Sequence, residues 1–215
     1  MQKFIAEPSF WEILPEASIG IMVVRAMKTA DEVSSEDKAA IASILNEANA
    51  TANQHLTSNT ISENEVVAVW RRAYQLFKTK KGARCSIENL LKRVLKGNPV
   101  GSITPSVDIY NAISLKYALP VGGENIDAFV GDFHLGIDEE GGKSFLPIGE
   151  EENAPTLPGE LCYYDEEGAV VDVSIGAMGS ALSSPTIPAT QFLLLNASMA
   201  RACPNCMPRS MSSPI

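Results

Sequence analysis

The 215-residue sequence has few of the residues that build common catalytic and metal sites. It contains two histidines, His55 and His134, and neither a GxxxxGK[ST] phosphate loop nor a GxSxG nucleophile elbow. A histidine-based triad or a zinc hydrolase is therefore not expected, and we predict no metal and no cofactor. No apolar run approaches the ~20 residues that span a bilayer, and the first residues lack a signal pattern. We expect a cytoplasmic protein without a membrane partner.

Cysteines are also scarce, and their spacing does not indicate a secreted disulfide framework. Two of the four, Cys203 and Cys206, form a CxxC pair. Such a pair can be half of a zinc site, a redox pair or a chance pairing in a tail. No second CxxC or paired histidine completes a zinc site, which favours the chance pairing.

Positive charge is scarce overall but concentrated in one stretch. The net charge of -9 argues against a general affinity for nucleic acid. Between Arg71 and Lys96, however, nine Lys/Arg stand against one acid, Glu88, so this stretch is +8 and the remainder is -17. A local basic surface can hold a phosphate backbone. It can also be the solvated face of two helices, and charge alone favours that reading.

The spacing of apolar residues predicts an α+β fold, with helices packed on a mainly antiparallel or mixed sheet. Ile19–Met27 is apolar and partly β-branched, which indicates a buried strand. Four helices are expected to begin near Ser35, Ser62, Ser86 and Pro105. After Gly122, short apolar pieces alternate with Gly, Pro and acidic turns, as in a meander of short strands.

Polar residues follow one side of the last predicted helix. Asp108, Asn111 and Ser114 recur at i, i+3 and i+6 beside an apolar face. The Asn111 amide can donate and accept, which suits the recognition of a small polar group; an ordinary amphipathic helix has the same pattern. Gly122 and Gly123 allow close approach of a ligand, with amides available for an oxyanion, or they form a turn.

Several blocks, in order and at sensible spacing, carry a resemblance to a known family. They are WRRAY (70–74), SIENLLKRV (86–94), VDIYNAISLK (107–116), PVGG (120–123) and PGE (158–160). Together they resemble the tRNA-editing domain that the third and fourth modules (B-three/B-four) of the phenylalanyl-tRNA synthetase beta chain form, in its free-standing version. The resemblance runs from about Leu14 to Asp172.

The resemblance implies an aminoacyl-tRNA deacylase that removes a wrong amino acid from the tRNA 3′ end. Such an ester needs an aimed water and donors for the oxyanion rather than a nucleophile–histidine pair. The implied contacts to the aminoacyl group are Asn111, Ser114, Gly122, Gly123 and, nearby, Glu160. The implied contacts to tRNA phosphates are Arg84, Lys92 and Arg93. No residue is assigned to the chemical step.

The chain departs from the family at two positions that bear on amino-acid selectivity. Lys143 stands where an acidic residue is usual, and Gly136 stands near Leu135, where an arginine is frequent. A non-catalytic module of the same fold, binding tRNA or an amino acid, is the alternative function. A damaged product is a third possibility. The sequence leaves the oligomeric state open.

The larger departure lies in the C-terminal segment. Relatives continue with a strand resembling N-W-x-R-D, whereas Ser174 to Ala200 contains no Asp, Glu, Lys or Arg. Reverse translation in another frame permits N-W-R-D-G-Q-R-T. We therefore hypothesise that the chain is out of frame from about Ser174, with a divergent tail as the alternative. Residues 1–173 are expected to form one domain and residues 174–215 an aberrant tail.

Overall fold

A computed structural model describes residues 2–146 and 151–172, together with the backbone of two later strands at 177–178 and 191–199. The helices in these ranges are α1 (Pro8–Ile13), α2 (Ser35–Thr51), α3 (Glu65–Ala73), α4 (Ser86–Leu95) and α5 (Pro105–Tyr117). The strands are β1 (Phe4–Ala6), β2 (Ala17–Arg25), β3 (Val121–Asn125), β4 (Phe133–Asp138), β5 (Glu160–Tyr164), β6 (Ala169–Asp172), β7 (Ala177–Met178) and β8 (Gln191–Met199).

The strands form two sheets. The five-stranded sheet has the order β1-β4-β5-β6-β7, in which β1 runs parallel to β4 and the other pairs are antiparallel. The three-stranded sheet has the order β2-β8-β3 and is antiparallel throughout. The predicted α+β class with a mixed sheet is confirmed. Strand β8, from the segment assigned to the tail, is the central strand of the second sheet.

Capping explains where the helices begin. The Ser34 hydroxyl accepts a hydrogen bond from the Asp37 amide at 3.0 Å and caps α2. Pro105 opens α5, as expected of a residue whose missing N–H costs nothing in the first turn. Both predicted starts are confirmed. The prediction that Ser86 caps α4 is wrong by one residue, because Cys85 takes the N-cap position and Ser86 is the first residue of the helix.

The predicted cap at Ser62 is wrong, because Asn64 takes that position and α3 begins at Glu65. Asn64 is fully buried, and its amide accepts from the backbone N–H groups of Thr57 and Ser58. It also donates to carbonyls of the same loop. Its side chain therefore fixes the loop before α3, and because that loop is irregular, a helix-capping pattern does not reveal this role.

Two apolar layers hold the helices to each other and to the sheet. Helices α2 to α5 meet around Leu45, Val67 and Leu115. The end of α3 packs its Ala73 into a second cluster that includes Leu135 and Leu161 of the five-stranded sheet. Helix α3 thus joins the two parts. None of the helices in the described ranges is long and apolar enough to cross a membrane.

Strand β2 confirms the predicted strand near Ile19–Met27, but the prediction that it is buried is wrong. Ile21, Met22 and Val23 are 44%, 57% and 46% exposed. The reason is its place in the sheet. Strand β2 is an outer strand that, within the described residues, pairs only with β8. Its apolar side chains are therefore not covered by other parts of the protein on both faces.

Candidate functional site

The connection from α5 to β3 gathers the buried polar residues that the sequence singled out. Helix α5 ends at Ala118 in the left-handed region (φ 52°), and the chain turns back at once into β3. Asp108, Asn111 and Ser114 on α5 are 3%, 9% and 0% exposed. We call these residues, together with strand β3, the α5–β3 corner.

Two members of the predicted polar face fasten the ends of α5. The Ser114 hydroxyl accepts from the Val121 amide at 3.2 Å, which ties the last turn of the helix to the start of β3. Asp108 accepts from the Ile103 amide at 2.8 Å and from the Ser102 hydroxyl, which ties the first turn to the preceding loop. Both side chains thus position the corner.

Asn111 lies between these two anchors and differs from them. Its amide forms no side-chain hydrogen bond within the part of the chain that the structure describes. An amide that is 9% exposed and has both a donor and an acceptor to satisfy is unusual inside a protein. Asn111 is therefore the member of the polar face that remains available to a ligand.

Gly122 and Gly123 lie within β3 rather than in a turn after Pro120. A Cβ added at Gly122 would meet no atom of the described residues within 4 Å, so this residue borders open space beside them. Successive residues of a strand point to opposite sides, and β3 is an outer strand of its sheet. Only one of the two adjacent amides can therefore point away from β8 toward a ligand.

Glu124, two residues after Gly122 on the same face of β3, was missed by the sequence reasoning. It is 2% exposed, and within the described residues its Oε2 atom has no hydrogen-bond partner. Burial raises the pKa of this carboxyl well above its ordinary value. Burial, and next the charge of Glu124, raise the pKa of Tyr110 to about 12. The sequence signal that could have revealed Glu124 is an acidic residue directly after Gly-Gly in a short strand.

Glu160 lies in the other sheet, at the start of β5. It is fully buried, and its Oε2 accepts from the Leu157 amide at 2.7 Å, closing the turn before the strand. Its register partner is Asp138, whose carboxylate accepts from the Thr156 hydroxyl at 2.5 Å. Glu160 thus shapes the loop that leads into β5, whereas the two glycines belong to the three-stranded sheet.

The two departures from the family have local structural explanations. A side chain at Gly136 would meet the Cβ and Cγ atoms of Glu7 at 2.9 Å, so the segment before α1 fills the space an arginine would need. Lys143 places its Nζ 3.9 Å from the Asp138 carboxylate and 4.7 Å from the centre of the Tyr164 ring.

The two histidines bind residues outside the α5–β3 corner. His134 Nδ1 lies 2.6 Å from Glu7 Oε1, and the imidazole stacks on Tyr164. The His55 ring bonds to the Lys116 carbonyl at 3.0 Å. Cys85 offers no thiolate at neutral pH, because burial raises its pKa to about 12. Cys203 and Cys206 lie outside the described residues.

The three predicted tRNA contacts lie on or just before α4, and all three are exposed. Arg84 places its Nε 3.3 Å from the buried Glu88 carboxylate. Arg93 reaches the Pro99 carbonyl at 3.4 Å, a long and weak bond. Lys92 makes no described hydrogen bond or ion pair. These cations are open to solvent and so are accessible to a polyanion.

A family comparison agrees with this geometry. The model of the B3/4 domain matches residues 69–202, which is more than half of the chain. The chain belongs to the B3/4 domain family. The match begins within α3 and includes α4, α5 and the whole α5–β3 corner. The protein therefore contains a tRNA-synthetase-related module of the phenylalanyl-tRNA synthetase beta-chain type. No curated protein shows significant similarity to the chain.

Proposed function

We propose that the protein is a free-standing trans-editing deacylase that hydrolyses the ester of mischarged aminoacyl-tRNA. One observation carries this proposal: three features converge at the α5–β3 corner of a B3/4 domain. Among the described residues, they are the Asn111 amide without a side-chain hydrogen bond, the open space at Gly122 and the Oε2 atom of Glu124 without a hydrogen-bond partner. A site that must bind a small polar group and aim a water needs these features.

Each feature has a role in ester hydrolysis. The Asn111 amide binds the aminoacyl group, and the β3 backbone at Gly122 and Gly123 supplies a donor for the developing oxyanion. Glu124 accepts the proton of the attacking water, since a raised pKa brings a carboxyl closer to the operating pH of a general base. Ser114 fixes the end of α5, Glu160 fixes the loop before β5, and Arg84, Lys92 and Arg93 hold the tRNA.

The direct test is a deacylation panel in which one tRNA, charged in turn with several amino acids, is incubated with the protein. We expect release of at least one amino acid faster than in the protein-free control. The replacement Asn111→Ala should raise KM, while Asn98→Ala, an exposed asparagine before α5, should leave the kinetics unchanged. Equal kinetics for both variants would remove Asn111 from the site.

A non-catalytic binding module is the second candidate. The observation that favours it is the exposed basic surface of Arg84, Lys92 and Arg93, which can hold a polyanion without any chemical step. Salt-sensitive tRNA binding without hydrolysis of any ester in the panel would establish this module and overturn the deacylase.

A further inference from the structure

A polar cavity lies between the end of α3, the basic loop 74–85 and the start of α4. Its volume is about 220 Å³, and its walls include Trp70, Arg71, Arg84, Cys85 and Glu88. The α5–β3 corner shares none of these residues. The cavity therefore needs an account of its own.

The charges in its wall do not balance. The Glu88 side chain is 3% exposed and receives two hydrogen bonds from Arg71, at 3.0 and 2.6 Å. Arg84 approaches the same carboxylate at 3.3 Å. Two guanidinium groups thus share one carboxylate, which leaves one positive charge. Each arginine also keeps a terminal nitrogen, Nη1 of Arg71 and Nη2 of Arg84, without a described bond.

A neutral donor in the same wall also lacks an acceptor. The indole Nε1 of Trp70 is buried and has no hydrogen-bond partner within the described residues. An indole N–H can only donate, and leaving such a group unpaired in a protein interior costs about 1–3 kcal/mol. Because this nitrogen is buried, the donors that the cavity can offer to a ligand are those of the two arginines, and with the surplus positive charge they favour an anion that carries several acceptor oxygens.

The surroundings favour a phosphate group over other anions. The cavity opens at the N-terminal end of α4, a ten-residue helix whose dipole and first amides favour negative charge there. The adjoining loop carries the exposed Lys78 and Lys81. Arginine pairs are suited to the bidentate recognition of phosphate oxygens.

We propose that this cavity is a phosphate-binding site, in which Arg71 and Arg84 hold one phosphate group and Trp70 lies in the wall. Assigning that phosphate to a tRNA rests on the proposed function. The site itself does not, because free phosphate or a nucleotide carries the same group. At the tRNA, it would fix one phosphate of the acceptor strand while the ester enters the corner.

The experiment uses tryptophan fluorescence. Trp11 and Trp70 are the only tryptophans, so Trp11→Phe leaves Trp70 as the single reporter. This variant is titrated with inorganic phosphate at constant ionic strength, with chloride and acetate as reference anions. We expect a saturable change with phosphate and none with chloride. A phosphate response no different from that of chloride, or acetate binding as tight as phosphate, would overturn the proposal.

Three variants locate the binding. Arg84→Gln should weaken phosphate binding by about tenfold or more, because a charge-assisted bond is lost. Lys38→Gln, which removes the same charge from an exposed position of α2, should not. Trp70→Phe, measured by dialysis with labelled phosphate and checked for folding by circular dichroism, should retain binding, because the buried indole nitrogen is out of reach of the ligand. Equal losses in the Arg84 and Lys38 variants would indicate general electrostatics and overturn the site.

Competition with uncharged tRNA then separates the sources of the phosphate. Displacement of labelled phosphate by tRNA assigns the cavity to the acceptor strand, and Arg84→Gln should then raise KM for deacylation without lowering kcat. Phosphate bound but not displaced by tRNA overturns that assignment and makes free phosphate or a nucleotide the ligand. A protein that fails to deacylate can still bind phosphate, so the two proposals fail separately.

Discussion

Two glutamates, Glu88 and Glu124, are equally buried at 2% exposure but have opposite surroundings. Glu88 stands at the α3–α4 cavity, where Arg71 and Arg84 hold it. Glu124 stands at the α5–β3 corner without a partner for Oε2 among the described residues, and its pKa is raised by burial. The first carboxylate accepts fixed hydrogen bonds from an arginine, and the second has an oxygen without such a donor.

The contrast distinguishes a buried carboxylate that stabilises the fold from one that can take part in a reaction. A buried carboxylate that is fully paired keeps its charge and holds two elements together, and it cannot easily take up a proton. A buried carboxyl without partners costs stability and is retained where a reaction or a ligand uses it. Substitutions at these two glutamates, and beside them, should therefore affect catalysis and stability differently.

The largest expected effect is on catalysis by Glu124→Gln. Removing the proton acceptor should lower kcat for deacylation by about 10²- to 10⁴-fold, the usual contribution of general acid–base catalysis. Glu139→Gln, at an exposed position after β4, is the control. Unchanged kcat in Glu124→Gln would remove this residue from the chemical step.

The next effect is on stability at the other glutamate. Glu88→Gln removes one charge from a paired cluster and should lower the free energy of unfolding by about 2–3 kcal/mol in urea titrations. Glu65→Gln, which breaks the exposed pair with Arg72, should change it by less than about 1 kcal/mol. Similar losses in the two variants would mean that burial of Glu88 adds nothing.

A smaller effect is the pH dependence that Glu124 imposes. Because its folded pKa is raised, the native state holds a proton that the unfolded chain has lost, and stability falls as pH rises above the ordinary value of about 4.3. Above that pH, Glu124→Gln should gain about 1.4 kcal/mol per pH unit over the wild type, until the folded pKa is reached. A difference that is constant from pH 4 to 8 would contradict the unpaired carboxyl.

The smallest expected effect is the stability change of two glycine variants. Gly101 and Gly122 both have room for a Cβ and ordinary φ values. Gly101→Ala and Gly122→Ala should therefore keep or raise the free energy of unfolding by up to about 1 kcal/mol. Thermal melts check this, and a marked loss in Gly122→Ala would show that the space beside β3 is filled.

The helical half of the fold could be predicted, because its signals are local. Ser34 caps α2 and Pro105 occupies the first turn of α5, and the structure confirms both of these local signals. The exposure of β2 and the isolation of Glu124 depend on residues that are distant in sequence, whereas the role of Asn64 depends on the irregular loop before α3. Likewise, Asn111 and Ser114 belong to the same spacing pattern on α5. Only the packing of β3 shows that Ser114 binds the Val121 amide and that Asn111 is available to a ligand.

The reading frame after Ser174 and the domain boundary at residue 173 stay predictions. The family match extends to residue 202, and the backbone register pairs Glu124 with Leu193 of β8. Correcting the frame would change the residues opposite Glu124. The frame-corrected chain can be compared with this one in thermal melts. If it melts at a higher temperature, and its stability no longer depends on pH through Glu124, the uncorrected tail places the wrong residues opposite Glu124. Stop codons in the alternative frame of the gene would end the hypothesis.

The most direct test of the central claim compares deacylation by Gly122→Ala with that by Gly101→Ala on the same mischarged tRNA. An added methyl group at Gly122 enters the space that the aminoacyl group is proposed to use. It should lower kcat/KM by about 10- to 200-fold, the range for one methylene in a fitted pocket. Gly101→Ala should match the wild type. Full activity in Gly122→Ala would contradict a substrate site at the α5–β3 corner.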